Sequence, residues 1–512
     1  MAYRHDPYPR ISAPRRTIGP LAAGAILWGL ALAIIVTLFY LEVGFGDTSS
    51  KAYLVPWCLG TAAVILAPSI YLIYRGRFDP FHPLVFPAWS YFFPGFVVGG
   101  FVLASGLSQP YTLTLLQDER TDLPLTFFYV MLGFGGLSLG YALPLGRKAG
   151  AAIAKWLPVW GWRTNQMALP GLVLFVLGLA NTILAFGLGI LGFQKAEAIG
   201  SYDGLIFLLS LLWSQGSFLL WLYIFKSEKL AWSHYLIMAA LISVSVARVA
   251  FQGNRGGIIS MLILVGFAFA LASRKITLKQ NVIGGVIIAI ALVVGMVYGT
   301  MFRSVKGSQD QVSITQMADT ITQTADKLAS SELTSNLSVG FAALAERIDS
   351  VSSLAVVVSN YEVLAPYEES YGMDHNIINE LSTFFIPRVV WKDKPVSIEP
   401  SAYGDLYFNY AENSFTMTPM GDLLRNFGPF GVPIGMIILG FLIRIIYASL
   451  IEDQPFSYWR ATLFFMVYTS ISYEGTYGLI IPYLLKILVL AVVGLLLVRL
   501  IVGPGQRQPT NA

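Results

Sequence analysis

Apolar segments of about 20 residues recur along almost the whole chain, and they constrain its fold more than any other feature. As helices, segments of this length match the thickness of the hydrocarbon core of a lipid bilayer. Only 12% of the 512 residues are charged, against about 25% in a soluble globular domain. The sequence therefore predicts an all-α polytopic membrane protein.

Hydropathy predicts about twelve transmembrane helices. Their predicted limits are 18–41, 53–74, 83–105, 124–144, 168–190, 205–225, 232–251, 256–273, 281–301, 427–449, 458–475 and 478–500. The organisation that follows is a tail at 1–17, nine helices in 18–301, a large loop at 302–426, three helices in 427–500, and a tail at 501–512.

Lysine and arginine are distributed unevenly between alternate predicted loops. One set of loops is rich in them, as at Arg147, Lys148 and Lys155, whereas the short loops of the other set have few. Cytoplasmic loops carry this excess, so both termini are predicted to be cytoplasmic. The segment 18–41 is followed by LEVGFGDTSS rather than by small residues, which favours a first membrane helix over a cleavable signal.

Residues 302–426 form a long polar segment that the same topology places outside the cytoplasm. A segment of this length is too long for a connector, and we interpret it as a small functional subdomain. Within it, Ser370–Phe385 has apolar and polar residues on opposite helical arcs, which predicts an amphipathic helix ended by Pro387.

Cations are concentrated on the predicted outer face, above all in the segment Ile386–Pro395 (IPRVVWKDKP). A diphosphate is held by several fixed cations, preferably arginines that can contact two oxygens at once. The alternative is that they pair with lipid phosphates or nearby carboxylates. The candidate diphosphate-binding residues are Arg248, Arg255, Arg303, Arg347, Arg388, Lys392, Lys394 and Arg425.

His375 is the one histidine of the four that this topology places outside. With the neighbouring carboxylates Asp374 and Glu380, it is a candidate general base toward a sugar hydroxyl. The alternative is that this arc simply faces water. Two alternatives are open for Glu474, a surface group or the lining of a polar cavity. Lys486, inside a predicted span, favours the bundle interior, in an ion pair or a ligand contact.

Several classes of chemistry lack their motifs in this sequence. It has no HExxH, no GxSxG and no Walker-type loop. Its single cysteine, Cys58, lies in an apolar segment, and the scattered histidines and carboxylates predict neither a metal site nor a cofactor. The sequence has no concentrated basic face, so it does not predict nucleic-acid binding.

The segment IPRVVWKDKP resembles the recurring PR-x-x-W-x-x-KP element of bacterial oligosaccharide repeat-unit polymerases, the O-antigen or Wzy-type family. The segment Thr418–Gly440 (TPMGDLLRNFGPFGVPIGMIILG) is similar to the stretch that follows that element in the family. The NRGG turn around Arg255 and the large outer loop at 302–426 are also similar to features of this family. About half the chain, residues 240–450, carries these features.

The resemblance implies a metal-independent glycosyltransferase in the bacterial inner membrane. It would transfer a growing glycan from undecaprenyl diphosphate to a hydroxyl of a lipid-linked repeat unit, for O-antigen, capsule or exopolysaccharide. Arg388 and the other cations would stabilise the departing diphosphate, and Trp391, Tyr403, Tyr407 and Glu474 would contact sugars. The bilayer and a chain-length regulator protein are the further partners implied.

Two other functions stay open. A ligase related to this family is one alternative, although glycine does not follow His375–Asn376 at the spacing of the ligase motif. A lipid-linked sugar transporter or flippase is the other. Transporters tend to place ionisable groups near the midplane in repeated, broken helices, whereas here most charges lie near one face.

Overall fold

The computed structural model describes residues 51–106, 110–191, 202–252, 257–272, 278–306, 314–330, 348–386, 390–391, 394, 400–410 and 415–503. Within these residues the regular structure is helical, with no strand. The predicted all-α class of membrane protein agrees with this architecture.

The described residues form the following helices, numbered in chain order. They are α1 (Val55–Tyr74), α2 (Val85–Ala104), α3 (Pro110–Thr114), α4 (Glu119–Ala142), α5 (Pro144–Trp156), α6 (Ala168–Gly187), α7 (Asp203–Ser210), α8 (Leu212–Lys226), α9 (Trp232–Gln252), α10 (Gly257–Leu271), α11 (Leu278–Lys306), α12 (Ile314–Ser330), α13 (Ser350–Leu364), α14 (Asn376–Thr383), α15 (Pro400–Phe408), α16 (Thr418–Leu450), α17 (Tyr458–Thr469) and α18 (Tyr477–Val502). One 3-10 turn precedes α1, another precedes α6, and two link α13 to α14. Residues Ala88–Val98 of α2 are π-helical.

Eight helical segments among the described residues are long and apolar enough to cross a membrane. They are Ala52–Tyr74, Val85–Ala104, Glu119–Ala142, Thr164–Gly187, Asp203–Lys226, Trp232–Phe251, Thr418–Leu450 and Tyr477–Val502. The predicted span 18–41 lies outside the described residues, and the predicted span 281–301 falls within α11, which is not among the eight. The predicted spans at 256–273 and 458–475 correspond to the shorter helices α10 and α17. The predicted number of twelve spans therefore stays a prediction.

The helices α4 and α16 pack backbone to backbone. Gly140 and Gly440 face the backbone of the opposite helix so closely that a β-carbon on either would overlap a carbonyl group. Gly136 lies in the same way against Pro433. These glycines let two membrane helices approach backbone to backbone, which is how small residues promote helix association in lipid.

The bundle has two chemically different ends. At the first, which we call the α14 end, Gly478 of α18 packs against Ile377 of α14, and Lys51 forms an ion pair with Glu119 at the start of α4. At the second, which we call the α5 end, Arg147 of α5 reaches Asp453 in the turn after α16. Consecutive long helices alternate in direction between these ends.

Three local features differ from the sequence-based expectation. The helix that contains the predicted span 427–449 begins at Thr418, because Thr418–Arg425 are buried by protein instead of lipid and so carry no hydropathy signal. This early part is set at an angle by Gly428, whose φ of 67° only glycine adopts without strain. Lys486 is exposed on the surface of α18 and does not face the bundle interior as expected.

The predicted amphipathic helix Ser370–Phe385 is also shorter than expected. The observed helix α14 covers Asn376–Thr383 only, because Gly372 and His375 adopt left-handed backbone conformations with φ of 63° and 46°. His375 consequently precedes the helix and is not part of its polar arc.

Candidate functional site at the α14 end

Two of the three candidate bases immediately precede α14, and the third, Glu380, lies within it. His375 is exposed, and Asp374 and Glu380 are partly exposed. The backbone carbonyl of His375 accepts a hydrogen bond from the Asn379 amide at 3.0 Å, and the side-chain amide of Asn379 donates to the Asp374 carbonyl at 3.3 Å. The backbone is therefore fixed at this point while the imidazole and both carboxylates stay accessible.

Beneath α14 lies a buried polar cluster that anchors it to α16. The Asn376 amide donates to Asp422 Oδ1 at 3.1 Å, and Asn376 Oδ1 accepts from Arg425 Nη2 at 2.8 Å and from Asn426 Nδ2 at 2.7 Å. The side-chain Oδ1 of Asn426 in turn accepts from the Ile377 backbone amide at 3.4 Å. Both the amide nitrogen and the oxygen of the Asn376 side chain are thereby hydrogen-bonded to α16, which fixes the first turn of α14 on that helix.

Asp422 also joins α18 to this cluster. Its Oδ2 accepts from the backbone amide of Gly478 at 3.0 Å. The first amides of a helix lack partners within it, and the N-cap residue of α18, Thr476, makes no side-chain cap. Asp422 therefore acts as a cap supplied by another helix, with its charge at the positive end of the α18 dipole. One carboxylate connects α14, α16 and α18.

Arg425 is at the centre of the same cluster and is wholly internal. Its side chain has no exposed surface, and its guanidinium pairs with Glu368 at 2.6 Å and with Asp422 at 3.1 Å. Tyr407 donates its hydroxyl to Glu368 at 2.7 Å, and Tyr403 packs beside it with 1% exposure. Burial, reinforced by the Glu368 charge, raises the pKa of Tyr407. The structure thus places three predicted ligand contacts, Arg425, Tyr403 and Tyr407, in the interior.

Arg248 occupies a different environment from Arg425. It lies near the end of α9 with its guanidinium carbon 4.5 Å from the centre of the Trp213 ring, a cation–π contact. Its Nε is buried with no hydrogen-bond partner, and no carboxylate pairs with it among the residues that the structure describes. A desolvated arginine of this kind retains its capacity to bind an anion.

The remaining predicted site residues are distributed as follows. Trp391 is 37% exposed, Glu474 is exposed just before α18, and the Lys394 ammonium donates to the Ile386 carbonyl at 3.2 Å. Arg303 lies near the end of α11, where the structure describes only its backbone. Arg255, Arg347, Arg388 and Lys392 lie outside the described residues, as does Pro387.

Sequence reasoning assigned no role to Asn376, Asp422 or Asn426. The signal that could have found them is the pattern GDLLRN at 421–426, because Asp422 and Arg425 are three residues apart and lie on one face of a helix. Their distant partner, Asn376, carries no such local signal.

Asp349, at the N-cap of α13, is a third buried carboxylate at this end, in addition to Asp422 and Glu368. It accepts hydrogen bonds from the Ser352 amide at 3.0 Å and from the Ser352 hydroxyl. The adjoining backbone packs against Gly99 of α2, where a β-carbon would lie 2.7 Å from the Ile348 carbonyl oxygen. Burial outweighs these hydrogen bonds and raises the pKa of Asp349 to about 6.

The Asp349 carboxyl should make stability depend on pH. The folded protein binds this proton more tightly than the unfolded chain, so stability should fall as the pH rises from about 4 to about 6 and change no further above it. Relative to Asp349→Asn, the wild type should lose about 3 kcal/mol between these values. The measurement is the thermal unfolding midpoint of both purified proteins in detergent.

A matched control is Asp118, an N-cap aspartate of α4. Hydrogen bonds from Thr121 and from the Arg120 amide lower its pKa, and it is fully solvated. Its contribution to stability should be present above pH 4 and lost as the pH falls, the opposite direction. Identical pH profiles for wild type and Asp349→Asn would contradict the assignment.

The described residues contain no group of three or more His, Cys, Asp or Glu side chains placed to hold a metal ion. Comparison of the chain with protein-family models, with curated proteins and with solved structures gives no match.

Proposed function

We propose that this membrane protein is a polysaccharide polymerase, which transfers a growing glycan from a polyprenyl diphosphate to a lipid-linked repeat unit. The observation that carries the proposal is Arg248, a desolvated cation without a described carboxylate partner, on the half of the bundle nearer the α14 end. Accessible acid–base groups, His375, Asp374 and Glu380, lie at that same end. A cation for the leaving diphosphate and a base for the acceptor are the two requirements of such a transfer.

The depth of Arg248 supports a lipid-linked anion as its ligand. From Lys226, at the α5 end of α8, to Trp213 the helix extends about 20 Å at 1.5 Å per residue. The hydrocarbon core is about 30 Å thick, so Arg248 on Trp213 lies below the boundary at the α14 end. The neighbouring α10 has 15 residues, a length of about 22 Å. A diphosphate attached to a membrane-embedded chain can reach that depth beside its own lipid.

The chemistry requires no group beyond these residues. The acceptor hydroxyl oxygen forms a bond to the anomeric carbon of the donor glycan while the bond from that carbon to the diphosphate oxygen breaks. The diphosphate leaves with the electron pair, stabilised by arginine. The hydroxyl proton passes to a base among His375, Asp374 and Glu380. Trp391 and Glu474, both accessible at this end, are proposed sugar contacts.

The proposed orientation in the membrane follows from the basic residues at the α5 end. The excess of basic residues at the α5 end, with Arg75, Arg147, Lys155 and Lys226 among them, supports a cytoplasmic position for that end in a bacterial inner membrane. The α14 end is then periplasmic, where ATP is absent and the lipid diphosphate supplies the energy of transfer. Undecaprenyl-diphosphate-linked oligosaccharide is the proposed donor and acceptor, and a chain-length regulator is a proposed partner.

The test is a reaction with the purified full-length protein and lipid-linked repeat units in detergent or vesicles. We expect a ladder of glycan polymers on the lipid carrier, with one lipid diphosphate released for each new bond. A transporter is the second candidate, because Arg248 lies inside the bilayer thickness. Movement of labelled lipid-linked glycan across vesicles without new glycosidic bonds would favour that candidate and refute the polymerase. Transfer only to an acceptor without a diphosphate lipid would indicate a ligase.

A further inference from the structure

Exposed tyrosines lie at the α14 end, and the proposed transfer does not use them. Tyr371, in the 3-10 turn before α14, is 38% exposed, and Tyr410, just after α15, is 46% exposed. Asp405 of α15 is exposed beside both. Because tyrosine combines a large apolar ring with a polar hydroxyl, it is enriched where proteins bind other molecules.

Hydrogen bonds place both tyrosines next to Asp405. The Tyr371 hydroxyl donates to Asp405 Oδ2 at 3.1 Å. The backbone amide of Tyr410 donates to the Gly404 carbonyl at 3.0 Å, because Asn409, with a left-handed φ of 50°, turns the chain back onto the end of α15. The Tyr371 ring is therefore held in place before a ligand arrives, and it loses little conformational entropy on binding.

The helix that carries Asp405 is itself anchored to the rest of the protein. Its residues Tyr403 and Tyr407 are buried, with ring centres 5.3 Å apart. Tyr111 of α3 donates its hydroxyl to the carbonyl of Phe408, the last residue of α15. The exposed groups thus lie on a fixed support, which preorganises them for binding.

This surface lies outside the hydrocarbon core of the membrane. The helix α13 starts inside the bundle beside α2, and its Ser359 hydroxyl accepts from the Gln117 amide at 2.8 Å, one residue before the solvated Asp118. From there α13 continues to Leu364, about 7 Å farther toward the outside. The turn with Tyr371 follows, so the exposed ring contacts water and not lipid tails.

The chemistry of the surface fits carbohydrate better than lipid or protein. A tyrosine ring can pack on the C–H face of a sugar, and a carboxylate accepts hydrogen bonds from sugar hydroxyls. Glu369 and Asp405, both exposed, repel anionic phospholipid headgroups. Charged residues are depleted in the core of protein interfaces, whereas here Asp405 is central. Asp374 and His375 follow Tyr371 directly in the chain, so the surface adjoins the candidate bases.

We propose that Tyr371, Tyr410 and Asp405 form a glycan-binding surface, along which a sugar chain extends from the candidate bases. The identity of that chain rests on the proposed function, because it would be the growing polymer. Recognition of the chain is thereby assigned to residues outside the transfer site itself.

The experiment measures binding of glycan to the purified full-length protein in detergent by isothermal titration. The probe is the cell-surface polysaccharide of the source organism, partially hydrolysed by acid and separated into fragments of defined length. Tyr371→Ala should raise the Kd of the longer fragments about tenfold, because a stacking contact is lost. Tyr371→Phe keeps the ring and should raise it less than about threefold, as should Asp405→Asn.

Tyr74→Ala is the matched control, because Tyr74 is also an exposed tyrosine but lies at the end of α1, at the α5 end. Its Kd should equal that of the wild type. Tyr410→Ala should raise the Kd about fivefold, and it decides the question if the unfolding midpoint shows that Tyr371→Ala does not fold.

A Kd that depends on Tyr371 and Tyr410 but not on Tyr74 supports the glycan surface. Equal Kd values in the three alanine variants overturn it, and so does a wild type that binds no fragment. The fragments carry no lipid diphosphate, so their binding does not depend on polymerisation. Binding through Tyr371 by a protein that forms no ladder from lipid-linked repeat units would keep the surface and refute the polymerase.

Discussion

Arg425→Met should destabilise the protein by about 3–5 kcal/mol, the usual cost of breaking a buried ion pair by removing one partner. The substitution keeps an unbranched apolar side chain but leaves Glu368 and Asp422 as buried carboxylates without their common cation. Asn376 also loses a donor, so α14 should detach first. The measurement is the unfolding midpoint of the purified protein, together with the rate of proteolysis within residues 365–386.

Arg147→Met is the matched control for this change. Arg147 also lies beside two carboxylates, Glu452 and Asp453, but its side chain is 58% exposed, and such surface pairs contribute about 0–1 kcal/mol. Neutralising one partner with Glu368→Gln in the Arg425→Met background should restore part of the stability. Equal losses for Arg425→Met and Arg147→Met would show that the cluster is solvated and that the buried ion pairs do not stabilise α14.

Arg248→Gln should lower the rate of glycan polymerisation about a hundredfold, the scale expected when one electrostatic contact to developing negative charge is removed. Its effect on stability should have the opposite sign to that of Arg425→Met. Removing a desolvated cation that has no carboxylate partner among the described residues relieves a cost, so the unfolding midpoint should stay the same or rise. The measurements are the initial rate with purified lipid-linked repeat units and the midpoint in the same detergent.

Lys486→Gln provides a matched control, because Lys486 is also a cation within a membrane helix but is exposed on the surface of α18. The rate of glycan polymerisation by Lys486→Gln should equal that of the wild type. Arg248→Lys should recover only part of the activity, since lysine retains the charge but lacks the planar fork that binds two oxygens. A large loss of stability in Arg248→Gln would instead assign Arg248 to a structural ion pair and remove it from the proposed site.

The long membrane helices could be predicted from sequence because lipid imposes a simple rule on them. Predicted segments such as 53–74 and 478–500 correspond closely to Val55–Tyr74 and Tyr477–Val502. The rule fails where protein replaces lipid as the surroundings. Thr418–Arg425 is helical and buried although it contains Asp422 and Arg425, because their charges are satisfied by neighbours that hydropathy does not consider.

The site was less accessible to sequence reasoning than the fold. Arg248 and Arg425 are the same residue type near the same end, yet one has no described acidic partner and the other has two. The difference depends on Glu368, 57 positions from Arg425, and on how the chain returns. Periodicity identified α14, but it extended the helix past Gly372 and His375, whose left-handed backbone depends on local geometry.

The three-residue separation of Asp422 and Arg425 has a consequence for biosynthesis. An unpaired charge is costly to bury, in protein as well as in lipid. Because this pair lies within one turn of a single helix, the two charges can neutralise each other as soon as the nascent chain coils. Glu368 and Asn376 have already been synthesised by then, whereas Gly478 emerges afterwards. The helix α18 leaves the ribosome after α14 and α16, and it therefore completes the coordination of Asp422 in an assembly that the two earlier helices have begun.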